Sequence, residues 1–369
     1  MVTIACVLAL ALPALVGVSP GAARADQRCA EWGRETLEQI RSDLYMPERG
    51  LYAEEAALSG DRPRQPAFMW GCGVQLAALA AAARLDRAYR EPLRGYAEAL
   101  QSYWSEARGI GGYDVLPVPK PSDRYYDDNA WVVLAMLDAR EATGEERYRE
   151  LAERAMAFVL SGEDERLGGG IWWREEERRS KNTCSSAPAI VGALRLFRLT
   201  GKRRYRDAAD RLHRWTKAHL QDTDGLYFDN VRLDGTVEPT KWSYNTAVMI
   251  DAECMLYAIT RERRYRDEAL RVARAARARW VRETGAVADE GRFARLLLEA
   301  LLDVDALDRR GGWRATVQRC LAHLHTEVRD ARGRYGGRWD RTAGEPVQRF
   351  SLLDQASAAR AYWAAAKAP

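Results

Sequence analysis

The sequence is poor in histidine and proline, and it has no segment typical of a flexible linker. Its 369 residues include four histidines and 13 prolines, and 47% of them are hydrophobic. So few histidines disfavour a histidine-based metal site, and a chain of this length can bury the core of one large domain. The abundance of Leu, Ala, Arg and Glu favours helices. We therefore expect a folded, helix-rich protein.

Positive charge is not concentrated in any part of the chain. Lys and Arg number 57 and Asp and Glu 53, and arginine pairs such as Arg203-Arg204 and Arg263-Arg264 are spread along the sequence. A nucleic-acid-binding protein usually gathers its positive charge on one face or in one tail. We interpret these arginines as solvated helix faces and expect no nucleic-acid partner.

One long apolar run lies at the N-terminus, from Val2 to Val18, and it leads to Ala23-Arg24-Ala25. This arrangement is typical of a secretory signal peptide with its cleavage site. The run is short and broken by Pro13, which disfavours a membrane anchor. We predict a signal peptide at residues 1–25, a secreted protein without stable membrane insertion, and a single domain at residues 26–369.

Cleavage at this site would leave an odd number of cysteines. Their spacing matches no metal-binding motif and assigns no disulfide pairing, although a disulfide could form after export. Most of them are expected to be small core residues. The five are Cys29, Cys72, Cys184, Cys254 and Cys320.

An internal repeat organises the chain. The string Thr-Gly-Glu-Glu-Arg-Tyr-Arg at 143–149 returns as Thr-Gly-Lys-Arg-Arg-Tyr-Arg at 200–206 and as Thr-Arg-Glu-Arg-Arg-Tyr-Arg at 260–266. Each copy joins a segment that is apolar nearly all round to an amphipathic, arginine-rich segment. A fixed period of this kind predicts repeated helix pairs.

The apolar segments predict six buried helices, which alternate with six exposed ones. Six inner and six outer helices predict an all-α fold, the (α/α)6 barrel, in preference to an open solenoid, because six pairs close such a ring. The inner helices are expected near Ala67–Leu85, Asp127–Ala142, Thr183–Leu199, Ser243–Ile259, Phe293–Leu307 and Phe350–Ala366.

The sharpest candidate for chemistry is the pair Asp127 and Asp128, at the head of the second inner helix. Glycine- and aromatic-rich loops, such as Gly168–Trp173, lead into the same end of the barrel, and loops on a rigid scaffold often carry sites. Aspartates in a first turn also cap helices. However, two close carboxyls are what glycoside hydrolysis needs, one protonated and one ionised, and their adjacency favours the short separation of retaining enzymes.

Other residues at this end suit the binding of a sugar. Aromatic side chains can stack on sugar faces, and amides or carboxylates can bond sugar hydroxyls, although barrel packing and helix capping use the same residues. Acids within the inner helices, Asp138, Asp251 and Glu253, are expected to have structural roles. The candidates for sugar binding are Trp70, Tyr126, Trp131, Trp173, Asn182, Asp229, Trp242, Tyr244 and Asn245.

At these positions the chain resembles glycoside hydrolase family 76, the endo-α-1,6-mannanases and their relatives. The resemblance runs from about Trp70 to Tyr362, and its most specific element is Tyr126-Asp127-Asp128-Asn129-Ala130-Trp131. The chain departs from the family at Ser185-Ser186-Ala187, Asp229-Asn230 and Asn245-Thr246-Ala247, which puts the sugar contacts and the linkage preference in doubt. The supporting elements are Lys181–Ser185, Asp224–Asp229 and Trp242–Asn245.

The resemblance implies a retaining hydrolase that cuts α-1,6-mannosidic bonds in mannan through a glycosyl-aspartate intermediate. By position, Asp127 would be the nucleophile and Asp128 the general acid/base. The resemblance also implies the (α/α)6 barrel and neither metal nor organic cofactor. We expect a monomer whose partner is an α-mannan or a mannooligosaccharide.

Three alternatives remain open. The enzyme could transfer the mannosyl chain to another sugar, or the chain could be an inactive glycan-binding member of the same fold. A sugar isomerase or epimerase would use histidines on inner helices. All four histidines here are predicted on outer helices, which disfavours this reading.

Overall fold

The computed structural model describes residues 20–56, 65–341, 347 and 349–366. Residues 1–19 of the predicted signal peptide lie outside the described residues, and the first helix begins at Pro20. The helices are α1 (Pro20–Leu44), α2 (Met69–Leu85), α3 (Arg90–Ala99), α4 (Tyr126–Thr143), α5 (Glu146–Leu160), α6 (Thr183–Thr200), α7 (Arg203–Leu220), α8 (Ser243–Thr260), α9 (Arg263–Trp280), α10 (Gly291–Leu307), α11 (Trp313–His323) and α12 (Leu352–Ala366).

The even-numbered helices form a closed ring. Each of them packs against the next, and α12 packs against α2, so the inner ring has no open edge. The odd-numbered helices lie outside this ring, each against an inner neighbour. Both the all-α class and the predicted (α/α)6 barrel are confirmed. No helix in the described part of the chain is long and apolar enough to cross a membrane.

The repeated sequence forms the same tight turn three times. In each copy a threonine hydroxyl donates to the carbonyl four residues earlier and accepts from the amide two residues later. The next residue ends the inner helix in the left-handed conformation, which glycine adopts without steric cost. These helix-ending residues are Gly144 (φ 78°), Gly201 (φ 67°) and Arg261 (φ 61°).

The third copy has an arginine where the other two have glycine, and this position offers a test of backbone strain. A left-handed conformation costs a residue with a side chain roughly 1–2 kcal/mol. Since glycine loses about 0.5–1 kcal/mol more backbone entropy, Arg261→Gly is expected to raise the free energy of unfolding by about 0.5–1 kcal/mol. Chemical denaturation measures the change. Arg261→Ala keeps a side chain and should give no gain; an equal gain from alanine would contradict the strain argument.

Short antiparallel strands, which the sequence analysis did not predict, brace the loops that lead into the inner helices. Two-residue pairs lie near both termini and before α4, and a three-stranded sheet precedes α6 and α8. Asn182, at the head of α6, pairs with Asn230. The strands are β1 (Tyr45–Met46), β2 (Leu51–Tyr52), β3 (Glu55–Ala56), β4 (Trp104–Ser105), β5 (Gly112–Tyr113), β6 (Ser180–Asn182), β7 (Asn230–Arg232), β8 (Val237–Glu238) and β9 (Phe350–Ser351).

Ion pairs join the inner helices at the opposite end of the barrel, where a cavity of about 640 Å³ opens. Asp138 of α4 contacts Arg195 of α6 at 2.8 Å and Arg360 of α12 at 3.0 Å. Arg360 also contacts Glu299 of α10, at 2.9 Å. Burial by itself would raise the pKa of Asp138, but Arg360 and Arg195 hold that pKa below its ordinary value. The predicted structural role of Asp138 thus has a physical basis.

Glu253 and the cysteines also lie in structural surroundings. The buried Glu253 carboxylate is 2.9 Å from Nε2 of His213 and 3.1 Å from Nζ of Lys217, which ties α8 to α7. Cysteines 29, 72, 184, 254 and 320 are all free, and all but Cys254 are buried.

Candidate active site

The catalytic candidates lie in the first turn of α4. The turn is fixed to the neighbouring loop by a hydrogen bond from the Tyr126 amide to the carbonyl oxygen of Trp173, at 2.9 Å. Neither aspartate occupies the capping position. That position belongs to Tyr125, and no side chain caps this helix end. Simple capping therefore does not explain why Asp127 and Asp128 are present.

The two oxygens of Asp127 have different surroundings. Oδ2 accepts a hydrogen bond from the indole Nε1 of Trp173 at 3.1 Å and one from the thiol of Cys184 at 3.6 Å. Oδ1 is buried and has no hydrogen-bond partner among the described residues. Burial raises the pKa of Asp127 to about 7, although the bond from Trp173 opposes this shift. Asp127 thus has one oxygen held by two side-chain donors and one buried oxygen without a partner among the described residues.

Asp128 holds its proton more firmly than Asp127. Burial raises the pKa of Asp128 well above its usual range, and the negative charges of Asp127 and Asp123 raise it further. Because neighbouring carboxyls interact, the first proton to leave makes the second harder to remove. The first ionisation falls on Asp127, which is stabilised by two side-chain donors. One carboxylate beside one carboxylic acid is the arrangement that glycoside hydrolysis requires.

Aromatic rings gather at the same end of the barrel. Phe293, in the first turn of α10, stacks on Tyr244 with ring centroids 4.3 Å apart and on Trp70 at 5.9 Å. Trp242 lies 5.2 Å from Phe293, and Trp131 lies 6.4 Å from Tyr244. We call these five residues the aromatic cluster. Four of them were predicted as sugar contacts, and Phe293 was not.

Trp173 is not part of this cluster, and its contacts are with Tyr125 and Asp127. Its ring meets Tyr125 edge-on, with ring centroids 5.0 Å apart, and the residue is 43% exposed. The indole nitrogen is bonded to Asp127, whereas much of the residue remains exposed to solvent. Trp173 can therefore hold the carboxylate and still present an apolar face to a sugar.

The predicted polar contacts lie at the heads of the next two inner helices. Asp229 accepts hydrogen bonds from Asn245 at 3.2 Å and from Asn230 at 2.8 Å, and burial raises the pKa of its carboxyl. Oδ1 of Asn245 is buried and has no partner among the described residues. Asn182 is buried and accepts from the Ser180 hydroxyl at 2.7 Å. The unpartnered oxygen of Asn245 is suited to a hydroxyl donor.

Tyr126 is separated from the other candidates. It is 1% exposed, and its ring stacks on Phe158 of α5 with centroids 4.8 Å apart. A Cβ added at Gly162 would lie 2.8 Å from the same ring, so this side of the tyrosine is closed by the chain. The structure places Tyr126 between an inner and an outer helix, and we therefore remove it from the set of proposed sugar contacts.

Cys184 is a further functional candidate that the sequence analysis missed, because most of the cysteines were expected to be core residues. Its position in the first turn of α6 matches that of Asp127 in α4, and this equivalence was the available signal. Within the described residues, no group of three or more His, Cys, Asp or Glu side chains is arranged to hold a metal ion.

The sequence and fold match a known family of glycoside hydrolases. The model of glycosyl hydrolase family 76 matches residues 51–333. The chain belongs to this family. Among solved structures, it is similar to the GH76 alpha-mannanase BT2949 of Bacteroides thetaiotaomicron, with 32% identity and a TM-score of 0.89. That match covers 94% of this chain and 98% of the other.

More distant matches agree in fold or in part of the sequence. An inactive variant of the alpha-1,6-mannanase GH76A of Salegentibacter sp. HEL1_6, in complex with alpha-1,6-mannotriose, is 22% identical with a TM-score of 0.78. It covers 92% of this chain and 99% of that one, and it shows a shared fold. The mannan endo-1,6-alpha-mannosidase DCW1 of Candida glabrata is 28% identical over 165 residues, which are 40% of this chain and 37% of that protein. The chain thus spans little more than a third of this curated relative.

Proposed function

We propose that the protein is a retaining glycoside hydrolase that cuts α-1,6-mannosidic bonds in mannan through a covalent glycosyl-aspartate intermediate. The observation that carries this proposal is the pair Asp127 and Asp128, in which one carboxyl loses its proton near neutral pH and its neighbour keeps it. The mannanases among its relatives support mannan as the substrate class.

The first step forms the intermediate. The ionised carboxylate of Asp127 attacks the anomeric carbon of a bound mannosyl unit, and the bond from that carbon to the leaving oxygen breaks. Asp128 gives its proton to the leaving oxygen, so the departing sugar leaves as an alcohol. The indole of Trp173 meanwhile keeps Oδ2 of Asp127 in place.

The second step releases the sugar and restores the pair. Once Asp127 is esterified its negative charge is gone, and with it one cause of the high pKa of Asp128. Asp128 can then remain ionised and accept a proton from water, which attacks the anomeric carbon and breaks the ester bond. Two inversions at one carbon give net retention. Adjacency therefore lets the same carboxyl act first as an acid and then as a base.

The sugar-binding role is proposed for eight residues. The aromatic rings would stack on sugar faces, and the polar side chains would bond sugar hydroxyls. The reaction needs only the two carboxyls and water, so we propose no cofactor. We further propose that the protein is secreted, in line with the apolar N-terminal run, and that it is a monomer. The eight residues are Trp70, Trp131, Trp173, Asn182, Asp229, Trp242, Tyr244 and Asn245.

The stereochemistry of the first product tests this mechanism. With α-1,6-mannotetraose as substrate, the newly formed reducing end is expected to appear first as the α-anomer and then to equilibrate in solution. Proton NMR of the anomeric signals, recorded in the first minutes, follows this order. A β-anomer that appears first would refute retention, and products longer than the substrate would indicate transfer to sugar instead of water.

A further inference from the structure

A buried thiol contacts the proposed nucleophile from the next inner helix. Cys184 lies in the first turn of α6, is 4% exposed, and has its Sγ 3.6 Å from Oδ2 of Asp127. The hydroxyl of Tyr244 in α8 also interacts with the thiol and lowers its pKa. Cys184 thus connects a ring of the aromatic cluster to the catalytic carboxylate.

The direction of these hydrogen bonds follows from charge. Burial raises the pKa of the Cys184 thiol well above 9, and the negative charges of Asp127 and Asp229 raise it further. The thiol therefore keeps its proton and donates it towards Asp127, since an ionised carboxylate can only accept. Burial also raises the pKa of the Tyr244 hydroxyl well above 10, so the tyrosine keeps its proton beside the sulfur.

We propose that Cys184 is a positioning residue for the nucleophile, an inference that rests on the function proposed above. Together with the indole of Trp173, the thiol engages Oδ2 of Asp127 and fixes the rotation of the carboxylate. Oδ1 is buried and has no partner among the described residues, so the two donors on Oδ2 set the orientation in which the carboxylate meets the anomeric carbon. Tyr244 orients the thiol and also belongs to the aromatic cluster. A sugar bound against Tyr244 is therefore connected to the nucleophile through Cys184.

Sulfur suits this position better than oxygen for two reasons. A hydroxyl bond to a carboxylate requires roughly 2.5–3.0 Å between the oxygens. The Cβ–O bond of serine is shorter than the Cβ–S bond of cysteine, and a serine at 184 would fall short of Oδ2 across the present 3.6 Å gap. A thiol is also a weak donor, so it orients the carboxylate while removing little of its basicity.

The pKa of Asp127 itself gives a test that needs no substrate. In carbon NMR with carboxyl-labelled aspartate, assigned with Asp127→Asn, the midpoint of Asp127 is expected to rise by roughly half a unit to one unit in Cys184→Ala. The rise follows because the lost donor stabilised the ionised form. Cys184→Ser should titrate like the alanine variant, and Tyr244→Phe should shift the midpoint in the same direction by less.

Kinetics and a matched variant complete the experiment. In Cys184→Ala, the rise of kcat/KM with pH, which follows ionisation of Asp127, should move to higher pH by the same amount as the NMR midpoint. Cys320→Ala removes an equally buried thiol from the outer helix α11 and should leave both readouts unchanged.

The outcomes separate this inference from the proposed function. An unshifted midpoint in folded Cys184→Ala, or a serine variant that titrates like the parent, would overturn the role of the thiol even if mannan is hydrolysed. A shifted midpoint in a protein that cleaves no α-1,6-mannan would support the thiol contact and refute the hydrolase.

Discussion

Asp127→Asn is expected to lower the rate of α-1,6-mannan hydrolysis by at least about 10⁴-fold, because an amide cannot form the glycosyl ester. Asp128→Asn should lower it by about 10²–10⁴-fold, the usual contribution of a general acid or base. Release of reducing ends from mannan, followed over days for the slow variants, measures both losses. Unchanged turnover in both variants would refute the enzymatic proposal.

Loss of folding would not explain these effects, because the asparagines should stabilise the protein at alkaline pH. The folded-state pKa of Asp127, about 7, lies above its ordinary value of 3.8. Its contribution to stability is therefore complete below pH ~4 and is lost as the pH rises through about 7. At pH 8, Asp127→Asn should consequently unfold at a temperature equal to that of the parent or a few degrees higher. A clear decrease would show that the substitution damages the fold.

Small anions can separate the two roles. In Asp127→Ala, azide can occupy the space of the lost carboxylate and attack the anomeric carbon once, which gives a mannosyl azide of inverted configuration. In Asp128→Ala the ester still forms, and azide then displaces it with net retention. The configuration of the azide product therefore identifies which aspartate is the nucleophile, and the reverse pattern would exchange the proposed roles.

Arg360→Met is expected to lower the free energy of unfolding by about 3–5 kcal/mol, the usual cost of leaving buried charges without their partner. Arg360 is largely buried, with 14% of its side chain exposed. It contacts the carboxylates of Asp138 and Glu299 and donates to the carbonyl of Ala77. Methionine fills a similar volume but replaces none of these bonds. Denaturation by urea, monitored by the tryptophan fluorescence, provides the measurement.

An exposed arginine supplies the control for this prediction. Arg264 pairs with Glu262 on the surface, with 68% and 47% of their side chains exposed. Surface pairs contribute roughly 0–1 kcal/mol, so Arg264→Met should change the stability little. Equal losses from both variants would show that the ion pairs at the far end of the barrel do not hold the inner ring together.

The helical ring was largely predictable because its signals are local. The inner helix expected at Asp127–Ala142 is observed at Tyr126–Thr143, where an apolar run ends at a threonine and a left-handed glycine. The strands had no such signal. Glu55 pairs with Ser351 from the other end of the chain, and two residues in a loop carry no periodicity from which this partner could be deduced.

The site was predictable as a set of positions but not as contacts. Sequence placed Asp127, Tyr126 and Cys184 at the entrances of inner helices, and the structure agrees. Which face of the helix each side chain takes depends on its neighbours. Tyr126 turns towards Phe158, whereas Cys184, one of the cysteines most of which were expected in the core, turns towards the carboxylate. Periodicity therefore predicts at which end of the barrel a residue lies, whereas packing determines which neighbours its side chain contacts.

The position of α12 between α10 and α2 has a consequence for how the chain matures. Arg360 bonds a carbonyl 283 positions earlier, so closing the ring requires contacts between segments that are far apart in the sequence. Helix pairs near the catalytic pair can assemble from neighbouring segments as the chain is synthesised. The contacts of α12 with α10 and α2 can form only after α12 itself has been made. Until then α2 and α10 expose apolar flanks to other unfinished copies. Production of this protein should therefore be most vulnerable to aggregation in chains that stop short of α12.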